Sequence, residues 1–177
     1  MISRDAAEVQ SLFLVGKGVT YDTGGADVKI SGAMFGMSRD KTGASTLAGF
    51  VYTLGLLKPS KLRVFAELGV VRNSIGSESY VSDEIIAGHS GQRVKVVNTD
   101  AEGRLVMADC LSHLRVKALS AANPQLCTVA TLTGHAGIAF GPYTVLIDNG
   151  PAQKKNHATS FARQGATTAP ELFSLRR

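Results

Sequence analysis

Residues 12–57 read LFLVGKGVTYDTGGADVKISGAMFGMSRDKTGASTLAGFVYTLGLL. They open on a short apolar run, Leu12-Phe13-Leu14-Val15, which ends in Gly16 and reads as a buried strand. From Gly16 to Gly43 glycine recurs too often for a helix of any length, since each glycine costs a helix about 1 kcal/mol relative to alanine. That stretch is expected as loop and short extended pieces, yet it is dense in Lys and Asp. From Ala44 to Leu57 the pattern turns helical: Leu47, Phe50, Val51, Leu54 and Leu57 fall at helical spacing, and Pro59 follows as a stop.

The strand, polar loop and helix of this stretch recur downstream. Leu62–Leu68 is a second strand candidate, and Arg72–Ser82 is a polar, Gly/Ser-rich loop. Val94–Val97 is a third strand candidate, ending in Asn98-Thr99-Asp100. Arg104–Val116 carries Leu105, Val106, Ala108, Leu111 and Leu114 as a helix, and Leu126–Leu132 is a fourth strand. Strands alternating with helices imply an α/β sheet covered on both faces. In such sheets a site is expected just beyond the strand ends, where both unusual loops fall. Gly165–Arg177 shows little periodicity and is expected as a frayed end.

The bulk numbers fit one soluble domain. The chain has 177 residues, 44% hydrophobic and 19% charged, enough to build a core. No apolar run reaches the roughly 18–20 residues of a membrane span. Met1-Ile2-Ser3-Arg4-Asp5 lacks the basic-then-apolar pattern of a signal peptide, so a cytoplasmic setting is expected. Cys110 and Cys127 lie in apolar stretches without a partner pattern and are expected as buried thiols. The net charge of +5 sits mostly in residues 151–177, where Lys154, Lys155, Arg163, Arg176 and Arg177 face Glu171 alone. A basic tail without a recognition motif does not make a nucleic-acid-binding stripe, so no nucleic-acid partner is expected.

Two loops carry the chemistry. The first holds Lys17, Asp22 and Lys29, with Asp40 at its end; the second supplies Asp100, Glu102 and Arg104 within NTDAEGR. Taken singly, either loop could be solvated, and Asp100 could cap the following helix. Taken together, Asp22, Asp40, Asp100 and Glu102 bring a charge that would repel itself if they converged without partners. Two divalent cations would cancel it, and oxygen-rich ligation of a cation pair is a usual form of hydrolytic centre. His89, His113 and His135 have no ligand spacing and read as surface or helix residues. Gly16-Lys17-Gly18 lacks the upstream glycine and the following Ser/Thr of a phosphate loop.

The run VGKGVTYDTGGADVK, then MSRDKTGAS at fixed spacing, then NTDAEGR, resembles the M17 leucyl aminopeptidase (cytosol aminopeptidase) family. The resemblance runs from about Leu14 to Gly134. It departs from the usual pattern at Ala26-Asp27 and at Lys41-Thr42. It implies a three-layer sandwich with a central mixed, mostly parallel sheet flanked by helices, of the zinc-exopeptidase kind. It further implies that residues 1–150 form a partial catalytic domain, incomplete at both ends, with 151–177 a basic, divergent segment.

Carried over by position, the resemblance makes Asp22, Asp100 and Glu102 the ligands of a more exchangeable cation. Lys17, Asp22, Asp40 and Glu102 would hold a tighter one. Lys29 would polarise the substrate carbonyl and Arg104 would hold a bicarbonate, while Met37, Thr131 and Leu132 would line the pocket for the first side chain. A lysine ligand must be neutral, and deprotonating an amine at pH 7 costs roughly 4–5 kcal/mol, which an adjacent dication can offset. The implied activity is hydrolysis of an N-terminal, apolar residue from peptides, with two divalent cations per subunit (zinc or manganese, with cobalt or magnesium also accepted). A homo-hexamer is implied as well. The alternative is a truncated, catalytically weak member that binds metal or partner subunits without turnover.

Overall fold

The computed structural model describes residues 9–169. Of these, residues 9–132 belong to one compact unit and 133–169 to a second. In the first unit the order is β1 (Gln10–Asp22), α1 (Thr42–Leu57), β2 (Leu62–Asn73), β3 (Ile85–Ala87), β4 (Arg93–Lys95), α2 (Glu102–Ala118) and β5 (Pro124–Val129). The second unit holds α3 (His135–Phe140), α4 (Gly150–Lys154) and α5 (His157–Thr168).

The main sheet has the order β2-β1-β5 and is parallel throughout. Successive β1 side chains point to opposite faces. Phe13 and Val15 face α2, where they build the core with Met107, Leu114 and Ala118. Gly16 and Gly18 face α1, and a Cβ on either would come within 3.0 Å of Ala44. One helix therefore covers each face, which is the expected three-layer arrangement. Phe13 also pairs in register with Phe65 of β2, the rings stacking at 4.9 Å.

Two expectations need correction. Gly16–Asp22 is not loop but the continuation of β1, paired in register with β2 as far as Val19↔Val71 and again at Asp22↔Asn73. Glycine is unfavourable in a strand by itself, but here its missing side chain lets the start of α1 lie directly on the strand. Val94–Val97, expected as a third strand, likewise lies outside the main sheet. Arg93–Lys95 pairs, among the described residues, only with Ile85–Ala87, as a separate antiparallel ribbon.

Smaller differences are local. Cys110 is half-buried and Cys127 exposed, so neither is the fully buried thiol expected. The helix α5 runs on through Gly165 to Thr168, beyond the point where fraying was expected; residues 170–177 of that expectation lie outside the described residues. Among the described residues no helix is long and apolar enough to cross a membrane.

The topology fixes where the polar loops go. Parallel strands release the chain at their carboxyl ends, so the segments after β1, β2 and β5 leave the sheet on the same side. Asp22 ends β1 and Asn73 ends β2, directly opposite each other. Asp40 stands just before α1, Glu102 opens α2, and Thr131 lies two residues beyond β5.

Candidate metal centre

Asp22, Asp40 and Glu102 converge until one oxygen of each lies within 4.8 Å of the others, and all three are buried. Local sequence explains how each is aimed. Gly24 and Gly25 take positive φ after Asp22, and the turn returns the Gly24 N–H to Asp22 Oδ1 at 2.8 Å. Gly43 lets α1 start against β5, since a Cβ there would sit 2.1 Å from the Val129 carbonyl oxygen. That contact brings Asp40, three residues earlier, under the end of the sheet. Glu102 follows a one-turn helix, Thr99–Ala101, capped by Asn98, whose side chain accepts from the Asp100 N–H at 2.7 Å. Asn98 rather than Asp100 is thus the cap, which leaves the Asp100 carboxylate available to the site.

Two lysines lie among the carboxylates. Lys17 Nζ is 2.8 Å from Asp40 Oδ1 and 2.9 Å from Glu102 Oε1, and the side chain is buried. Lys29 Nζ is 3.1 Å from Asp22 Oδ2 and 2.5 Å from Asp100 Oδ1. Burial works to lower the Lys17 pKa, but its hydrogen bonds and attraction to Asp40 and Glu102 outweigh that and raise it. Lys29 follows the same pattern with Asp100 and Asp22. Burial pushes the Glu102 carboxyl upward and Asp22 adds repulsion, which Lys17 offsets only in part. Asp22 goes the other way. Burial would raise it, but the Gly24 N–H, Asn73 and Lys29 together bring it below its ordinary value.

Four carboxylates against two ammonium groups leave a net deficit of positive charge. The donor count shows the same deficit. Asp40 Oδ2 is buried with no hydrogen-bond partner among the described residues. A buried carboxylate oxygen without a partner is costly, so this edge of the site suits a further cation.

Of the ten residues singled out in the sequence, seven therefore meet here, six of them charged: Lys17, Asp22, Lys29, Asp40, Asp100 and Glu102. Thr131 reaches the same place, with Oγ1 donating to Asp40 Oδ1 at 2.8 Å and its carbonyl oxygen 3.4 Å from Lys17 Nζ. Arg104 is exposed on the first turn of α2, two residues past Glu102, and joins none of the ion pairs of the site. Met37 is half-buried and opens the one-turn helix before Asp40; Leu132 is exposed. The histidines lie elsewhere: His113 pairs with Glu67, His89 with Ser112, and His135 with Thr133.

Sequence reasoning missed Asn73 and Thr99. Asn73 is buried among Asp22, Glu102 and the Thr99 carbonyl. Thr99 Oγ1 donates to the Gly24 carbonyl at 2.6 Å and accepts from the Asp27 N–H at 2.8 Å, tying the first loop to the second. Asn73 lay in a polar loop with no pattern to mark it. Ala26-Asp27 gave a signal, being a departure from the resembled pattern: Asp27 Oδ2 accepts from the Thr99 N–H at 2.7 Å and from Ser82 Oγ at 2.9 Å.

Comparison with known proteins agrees with this geometry. The sequence profile of the cytosol aminopeptidase family catalytic domain matches residues 3–175. A Caenorhabditis elegans protein named for aminopeptidase activity is 50% identical over 162 residues, 92% of this chain and 30% of the relative. The leucyl aminopeptidase of Trypanosoma brucei, solved with actinonin, superposes with a TM-score of 0.79 at 34% identity. That match covers 90% of this chain and 30% of the other. The leucine aminopeptidase of C. elegans superposes with a TM-score of 0.77 at 30% identity, over 97% of this chain and 35% of that one. The chain thus spans about a third of the length of the proteins it matches.

Proposed function

The chain belongs to the cytosol aminopeptidase family, and on that premise we propose that it supplies the two-cation centre with which an aminopeptidase removes the first residue of a peptide. The observation that carries this reading is the convergence of three buried carboxylates within 4.8 Å beside a buried lysine. Hydrophobic folding alone gives no reason to gather so much charge, whereas a cation pair does.

The residues present fit such a pair. Lys17, Asp22, Asp40 and Glu102 would hold one cation, and Asp22, Asp100 and Glu102 the other. Zinc, manganese, cobalt and magnesium all suit oxygen-rich donors of this kind. When bound, the cations would lower the pKa of water and polarise a carbonyl oxygen.

The chain's own groups supply the rest. Lys29 is mostly buried and held by Asp22 and Asp100, which places a fixed ammonium at the rim as a donor to a developing oxyanion. Arg104 presents an exposed guanidinium whose planar fork suits a bicarbonate or a substrate carboxylate. Met37, Thr131 and Leu132 would border the side chain of the departing residue, with Thr131 also fixing Asp40. Small apolar residues of the leucine type match that border. The active form is a homo-oligomer, a hexamer by analogy with the family, working in the cytoplasm without nucleic acid.

The test is metal content per chain together with hydrolysis of a leucyl amide by the purified protein, with and without actinonin. Stoichiometric uptake of two cations with inhibitable turnover supports the reading. Uptake without turnover would favour a metal-binding member that needs partner subunits. No uptake would remove the centre from the account.

A further inference from the structure

The Asn73 carboxamide is buried at the carboxyl end of β2, where three acceptors surround its nitrogen. Nδ2 lies 2.8 Å from Asp22 Oδ1, 3.0 Å from the Thr99 carbonyl oxygen and 3.3 Å from Glu102 Oε2. An amide nitrogen has two hydrogens and no acceptor capacity, so it suits this position where a carboxylate or the amide's own oxygen would be repelled. Gly25 leaves the space for the opposite end of the amide, since a Cβ there would approach Asn73 Oδ1 to 2.9 Å.

The distribution of contacts separates the two edges of each carboxylate. Asp22 gives Oδ1 to Asn73 and Oδ2 to Lys29. Glu102 gives Oε2 to Asn73 and Oε1 to Lys17. One oxygen of each is thus tied to the end of β2, and the other faces the charged interior of the site. We propose that Asn73 is a positioning residue of the cation centre. It fixes the rotation of the two carboxylates that serve both cations and anchors the Thr99 turn from which Asp100 and Glu102 emerge.

This inference rests on the two-cation reading. Groups that orient metal ligands without touching the metal are typically worth about 10–100-fold in affinity. Asp22 keeps the Gly24 N–H when Asn73 is lost, whereas Glu102 Oε2 loses its hydrogen bond from the carboxamide. Both sites are affected, because Asp22 and Glu102 are shared.

The experiment is titration of the purified chain with cobalt(II) alone, followed by calorimetry and by visible absorption. Wild type, Asn73→Leu and Asn73→Ser are compared. Leucine keeps the branched shape without a donor; serine keeps a small polar group with one donor in place of two, should the leucine variant fail to fold. The expected result is about a 10–100-fold weaker affinity for both ions in each folded variant and a shifted cobalt spectrum. Wild-type affinity and an unchanged spectrum in a folded variant, even one with a lowered melting temperature, would reduce Asn73 to a purely structural role and overturn the proposal. A wild-type chain that binds no cobalt would instead overturn the two-cation reading, and this inference with it.

Discussion

The Lys17 side chain passes through the space that a side chain at Gly103 would fill: a Cβ there would lie 2.4 Å from Lys17 Cε and 2.8 Å from Nζ. Glycine in the first turn of α2 is otherwise a poor choice, since alanine favours a helix by about 1 kcal/mol. Its presence next to Glu102 is explained by the lysine that must reach Glu102 and Asp40.

Gly103→Ala should therefore gain helix propensity and still damage the site. Lys17 is displaced, and cation affinity should fall by about 10-fold or more, within the range for disturbed ligand orientation. Metal retained after dialysis, compared with wild type, measures this. Unchanged retention would show that Lys17 can take another path.

The shared carboxylates predict metal stoichiometry. Asp22→Ala or Glu102→Ala should empty both sites, because each residue belongs to both proposed ligand sets. Asp40→Ala should remove mainly the tighter cation. Elemental analysis of the purified variants decides between these outcomes, and two ions bound to Asp22→Ala would contradict the assignment.

Lys29 and Arg104 should separate catalysis from binding. Neither is a proposed ligand, so Lys29→Ala and Arg104→Ala should keep bound metal while turnover falls by roughly 10²–10³, the usual effect of losing one stabilising donor. Steady-state kinetics paired with metal analysis tests both. Loss of metal from either variant would mean that a coordinating group had been taken for a catalytic one.

Asp27 predicts a pH dependence. Its hydrogen bonds from the Thr99 N–H and then from Ser82 outweigh the effect of desolvation and hold its pKa below the ordinary value of 3.8. A carboxyl depressed on folding contributes stability above its unfolded pKa and loses it as pH falls through the folded value. Asp27→Asn should melt at a lower temperature than wild type at neutral pH, and the gap should close below about pH 4. Melting curves across that range provide the check; a constant gap would place the effect in packing instead.

The family was legible in the sequence because its signature is carried by residue types at short spacing. Asp22, Lys29 and Asp40 fall within one glycine-rich stretch, and Asp100, Glu102 and Arg104 within another. The βα alternation was equally readable, since Leu12–Val15 and Ala44–Leu57 differ in apolar period. What the sequence could not show is set by partners far along the chain. Gly16–Asp22 reads as loop by propensity and becomes strand because β2 supplies its hydrogen bonds and α1 needs the missing side chains.

Asn73 has no local pattern at all. Its place follows from the register that puts it opposite Asp22 and from contacts with residues 26 and 29 positions later. The same holds for charge. Composition supplies four carboxylates and two lysines, but only the fold decides that Lys17 takes Asp40 and Glu102 while Lys29 takes Asp22 and Asp100. Residue type fixes which groups can bind a cation. Tertiary structure decides which oxygens face one another, because hydrogen bonds and ion pairs act over about 3 Å, a distance that only the folded chain brings within reach.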